Sequence, residues 1–275
     1  MTTALRPLST GELLDRTFSL YRSHFGLFVG IFALPHLIVL AFQCLGVALQ
    51  TPGNPAANVF ITLIWGMGAL FLTVIVAAAS QAATVVAVSD VHLDRPASVR
   101  DSFLRVKEHL LGVIGVSMLV GLGVFAGFIA LVVPGVILAM MWSLSVPVKV
   151  LENKSATDAM SRSADLTKGD RGRIFVIWLL FIVLSIGVSL LLQWPIELLA
   201  GVASRGALQR ATAGWQVASH AATFISECLV GPLGTIAFSL IYYDERVRKE
   251  AFDLQLMMST LDATALPSSP AQAGA

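Results

Sequence analysis

From Phe25 to Ser89 the chain runs for 65 residues without one Asp, Glu, Lys or Arg. A water-soluble fold needs charge on at least one face of each element, so a run of this length points to a different solvent. The apolar core of a bilayer is about 30 Å thick and takes about 20 helical residues at 1.5 Å each. The run therefore predicts two spans, with the turn-forming stretch Thr51, Pro52, Gly53, Asn54, Pro55 between them. Composition agrees: 56% of residues are hydrophobic, 13% are charged, and the mean hydropathy is +0.80. Such a chain lacks the charge of a disordered protein, the cysteines of a disulfide-stapled domain and the basic surface of a nucleic-acid binder.

Three further apolar stretches complete the count. Leu110 to Val148 is charge-free for 39 residues, with Pro134 and Gly135 inside it. It predicts a second hairpin with a tight turn and a short second arm, Pro134 to Leu151, whose Lys149 must reach the interface along its own stem. Ile174 to Ile196 predicts a fifth span. Ala211 to Tyr243 predicts a sixth, interrupted only by His220 and Glu227. Six spans place 16 of the 18 Lys and Arg residues on one side, leaving only Arg205 and Arg210 on the other. By the positive-inside rule both termini are cytoplasmic, in a multi-pass protein of the cytoplasmic membrane. The expected fold is all-α, with six transmembrane helices in three hairpins.

Each hairpin is preceded by a Ser-x-x-acid sequence: Ser9 and Glu12, Ser98 and Asp101, Ser155 and Asp158. The hydroxyl can satisfy an orphan amide at a helix start and the carboxylate favours the positive end of the dipole, so three short helices are predicted there. Apolar positions Leu14, Phe18, Tyr21 and Phe25 recur as Val99, Phe103, Val106 and Leu110, one helical face in each case, with His24 and His109 at matching offsets. The third unit keeps only Ala156 and Met160. Amphipathic helices beside spans belong at the headgroup level. The expected organisation is a membrane domain over 1–258, with repeat units 9–89, 98–151 and 155–243, and a disordered tail over 259–275. A fourth amphipathic segment is expected after the last span, from Tyr243 to Met258, with Asp244 and Arg248, and Glu245 and Lys249, paired on its polar face.

Pro134, Gly135, Val136, Trp142, Ser143, Leu144, Val146, Pro147 and Glu152, with an Arg- and Asp-rich helix after them, resemble the membrane part of the bacterial glycerophosphoryl diester phosphodiesterase membrane-domain family. Tyr242, Tyr243, Asp244, Arg246, Val247, Arg248, Lys249, Glu250, Phe252 and Asp253 resemble that family's closing motif, and Leu8 to Tyr21 its opening. The resemblance implies a topology rather than an activity. In fused members the phosphodiesterase chemistry looks to be carried by a separate soluble barrel with paired histidines and carboxylates on a divalent metal, and the histidines here lack that company.

Glu227 stands out because an ionised carboxylate in hydrocarbon costs several kcal/mol unless paired or protonated. Counting from Tyr242 puts it roughly 22 Å deep. It reads either as a proton or cation site with His220 or His36 as partner, or as a protonated acid bonded to a neighbouring helix or sitting in an outer crevice. His36 follows Pro35 and reads as a partner for the backbone carbonyl that the proline frees. Gly121, Gly123 and Gly127 read as points of close helix approach. Cys44 and Cys228 read as small buried hydrophobes. Arg100, Arg105, Lys107, Lys154, Arg171 and Arg173 are expected to contact anionic headgroups. The motifs HExxH, GxSxG and GxxxxGK[ST] are absent from the sequence, so a non-enzyme without cofactor or metal is expected. Its partners would be membrane lipids and, beyond them, a second copy or other membrane proteins, with no nucleic acid. Of its two expected roles, the first is organising lipid or partners. The alternative is transport of a small solute or lipid through the Glu227 site.

Overall fold

A computed structural model describes residues 8–50, 55–203 and 210–250. Arg6, Arg205, most of the expected turn over 51–55 and everything after Glu250, including the expected tail over 259–275, lie outside the described residues, as does the side chain of Arg210.

Ten helices and no strand occur among the described residues. They are α1 (Thr10–Ser23), α2 (Phe25–Ala48), α3 (Pro55–His92), α4 (Val99–Lys107), α5 (Leu110–Ala130), α6 (Val132–Met141), α7 (Ser145–Glu152), α8 (Ala156–Thr167), α9 (Arg171–Ala203) and α10 (Arg210–Glu250). Six helical stretches are long and apolar enough to cross a membrane: α2, α3, α5, the α6–α7 stretch Val132–Glu152, α9 and α10. Large apolar side chains such as Leu111, Leu191 and Met67 stand exposed on them, as lipid-facing residues would. Consecutive members α2 and α3, α5 and α6, and α9 and α10 pack on each other, and α10 also packs on α2, so the first and last spans are neighbours.

The three Ser-x-x-acid sequences each start a helix. Ser9, Ser98 and Ser155 accept hydrogen bonds from the amides of Glu12, Asp101 and Asp158, and the first is a full capping box. His24 alone joins α1 to α2, and Glu108 with His109 joins α4 to α5, each histidine standing immediately before the span. The third joint is longer, from Lys168 to Asp170, and turns at Gly169 with φ +98°.

Two arrangements depart from expectation. The polar segment expected from Tyr243 to Met258 lies, as far as Glu250, within α10, and Asp244 and Glu245, expected on its polar face, are turned toward the bundle, 4% and 0% exposed; 251–258 lie outside the described residues. The fourth span begins at Val132, not Pro134, after a turn at Leu131 alone, and it is broken at Trp142, Ser143 and Leu144 between α6 and α7. Pro134 falls in the first turn of α6, where its missing N–H costs nothing.

Broken helix in a dry environment leaves backbone groups that need partners. Here α8 supplies them. Ser163 accepts from the Leu144 amide (3.1 Å) and donates to the Met141 carbonyl (2.9 Å), which Thr167 also reaches at 3.3 Å. Ser163→Ala is therefore expected to destabilise the bundle by about 1–3 kcal/mol, the cost of an unsatisfied buried amide. Thermal unfolding in detergent measures it, and an unchanged midpoint would mean that water replaces the hydroxyl.

Candidate functional site: a polar cavity among the spans

Along α10 the polar residues Gln216, His220, Thr223 and Glu227 recur at i, i+4, i+7 and i+11, which sets them on one helical face. That face meets α2 and α3. His36, Glu227 and His220 line one cavity of about 100 Å³ with Gln43, Thr73 and Thr223. Thr73, Gln43 and His220 also line an adjoining space of about 500 Å³ toward the Gln50 end of α2.

Inside it, His36 Nε2 lies 3.4 Å from Glu227 Oε2. The two groups differ in setting: His36 is 4% exposed, whereas the Glu227 side chain is 43% exposed. Nδ1 of His36 is bound to the Phe32 carbonyl at 2.8 Å, which fixes the ring and aims Nε2 at the carboxylate. This is the carbonyl of residue i−4, not that of Ile31, which Pro35 leaves without its amide. The proline explanation of His36 is thus replaced by a positioning one. Phe32 stacks on the imidazole, ring centroids 5.5 Å apart. Behind the cavity, Gln193 donates to Thr223 (3.1 Å) and Ser189 bonds Ser226 (2.9 Å), tying α9 to α10.

Chemically, the arrangement offers one carboxylate, one oriented imidazole, a second imidazole, amides and hydroxyls. It can bind a small polar or cationic group. Among the described residues no three His, Cys, Asp or Glu side chains group as metal ligands would.

The expected headgroup-binding residues do not act alike. Arg105 donates from Nη1 to both Asp90 oxygens (2.7 and 2.9 Å), Lys154 lies 3.5 Å from Glu152, and Arg173 pairs with the buried Asp244. Arg100 and Lys107 are exposed, and Arg171 is partly buried. The Lys149 amine reaches the Lys154 carbonyl at 2.5 Å.

Asp244 organises the charged end. It accepts from the Leu8 amide (2.7 Å), from Arg248 (2.9 Å) and from Arg173. Glu152 binds Tyr242 (3.0 Å) and lies 3.5 Å from Arg162, which also pairs with Glu250. With Tyr21 donating to the Leu229 carbonyl (3.0 Å), α1 is held along α10 rather than apart from it.

Sequence reasoning missed Gln43, Thr73 and Phe32. Uncharged polar residues inside apolar runs carried the signal for the first two, since His36 and Gln43 are seven apart on α2. No sequence signal marked Phe32. Neither a protein-family model, nor a curated protein, nor a solved structure matches the chain.

Proposed function

We propose that this is a multi-pass protein of the bacterial cytoplasmic membrane, both termini cytoplasmic, that binds and passes a small solute at the Glu227 and His36 site. The observation that carries this reading is the convergence of Glu227, His36 and His220, from spans far apart in sequence, on one cavity. The segregation of Lys and Arg supports the orientation. We read the paired spans as three hairpins, the short capped helices as lying on the cytoplasmic side, and these spans as a relative of the membrane-domain family they resemble, without catalytic activity.

Uptake into proteoliposomes tests the proposal, with methylammonium, glycine and glycerol as cationic, zwitterionic and neutral probes. At least one should enter faster than into protein-free vesicles. Glu227→Gln should slow that entry about tenfold or more, the weight of one charge-assisted hydrogen bond. Entry of all three at the bare-lipid rate would sink the reading.

The exposed Arg100 and Lys107 favour a second role, organising anionic lipid or partner proteins. It is the weaker one, because Arg105, Lys154 and Arg173 already have carboxylate partners.

A further inference from the structure

A second cavity, of about 290 Å³, lies nearer the charged end and is lined by Gln81, Ser143, Trp178, Gly231, Thr235 and Phe238, among others. Both cavities open on the same stripe of α10. From Thr223 and Glu227 in the first, the stripe passes through Gly231 to Thr235 in the second, in steps of four residues. Ser143, from the break in the fourth span, lines the second.

One ring touches a lining residue of each. Phe32 stacks on His36, which lines the first cavity, and it packs on Gly231, which lines the second. A Cβ on residue 231 would collide with that ring, so glycine here is what allows the ring its place. Phe32 is 4% exposed. Prolines flank the contact on both helices, Pro35 in α2 and Pro232 in α10. Each removes a backbone hydrogen bond, so both helices are most easily bent where the ring sits.

The linings also select a charge. Neither contains Lys or Arg, and Glu227 is the one carboxylate in them. Trp178 gives the second cavity an aromatic face, which attracts a cation.

We infer that the two cavities are the halves of one route for a small monovalent cation, such as a protonated amine, and that the Phe32 ring on Gly231 is the barrier between them. This rests on the solute-passing reading above.

Thiol labelling in intact cells tests it, using a membrane-impermeant cationic methanethiosulfonate added outside. The background carries Cys44→Ser and Cys228→Ser. Thr73→Cys should label from outside, Thr235→Cys should not, and Lys107→Cys at the charged end should not. Adding Phe32→Ala should make Thr235→Cys label at a rate comparable with Thr73→Cys. Phe32→Leu, a milder truncation, should give a smaller gain and stands in if the alanine variant fails to fold. Methylammonium should slow labelling of Thr73→Cys, acetamide should not, and Glu227→Gln should abolish the protection.

Labelling of Thr235→Cys from outside with Phe32 in place, or its absence in whichever truncated variants elute as folded protein, overturns the barrier. Protection by acetamide, or protection that survives Glu227→Gln, overturns the cation assignment. Opening by Phe32→Ala in a protein that moves none of the three uptake probes would leave the barrier standing while the solute-passing reading fell.

Discussion

Asp244→Ala is expected to lower stability by about 3–5 kcal/mol, the cost of breaking a buried ion pair from one side. The side chain is 1% exposed and takes hydrogen bonds from two guanidinium groups and the Leu8 amide. Its removal leaves Arg173, itself only 14% exposed, without its carboxylate, and the Leu8 amide without its acceptor on α10. Thermal unfolding in detergent and the fraction eluting as a single species would both register the loss. Asp244→Asn keeps one acceptor and should fall between. Combining Asp244→Ala with Arg173→Ala should cost less than the two changes added, because the second removes the charge that the first strands. A loss below about 1 kcal/mol for Asp244→Ala would place the network among ordinary surface pairs.

Gly127→Leu is expected to be nearly as damaging, at about 3 kcal/mol, for a steric reason. A Cβ at Gly127 would lie 2.9 Å from Leu138 Cδ1, which can turn aside, but also 3.0 Å from the Cα of Gly135 and 3.2 Å from its nitrogen, so the backbone of α6 is the obstacle that cannot give way. The two helices are joined by Leu131 alone and have no slack to separate. Gly121→Leu, in the same helix, is the control: a Cβ there meets nothing within 4 Å, and leucine is the better helix former. Equal yields and equal unfolding midpoints for the two variants would show that α5 and α6 can separate enough to admit the larger side chain.

These two sites also mark how far the sequence could be read. The six spans were legible because hydrocarbon tolerates no unpaired charge, and charge-free length is a direct count. The three helix starts were legible because a hydroxyl three residues before a carboxylate is a local signal. Of the three glycines read as close-approach points, Gly123 and Gly127 meet Trp142 and Gly135, but Gly121 meets open space, since which face of α5 turns inward is settled by other helices. The inward-facing Asp244 was read only as the i+4 partner of Arg248 on a polar face, because that local pair gives no sign of its longer-range partners, Arg173 and Leu8. At the site, Glu227 and its two histidines were legible as costly residues in lipid. Phe32 was not, because an apolar ring in an apolar run has no signature until the neighbouring glycine is seen beside it.

The break in the fourth span bears on how the polypeptide is made. Ten residues of α6 reach only about 15 Å, half the hydrocarbon thickness, so α6 is too short to cross by itself when it leaves the ribosome. With a single residue separating it from α5, it enters lipid together with that helix, two segments partitioning in one event. The hydroxyls of Ser163 and Thr167, which complete its backbone bonding, are synthesised only afterwards. Biogenesis therefore has a built-in sequence, in which the nascent fourth segment stays unfinished until α8 has emerged and turned back to meet it.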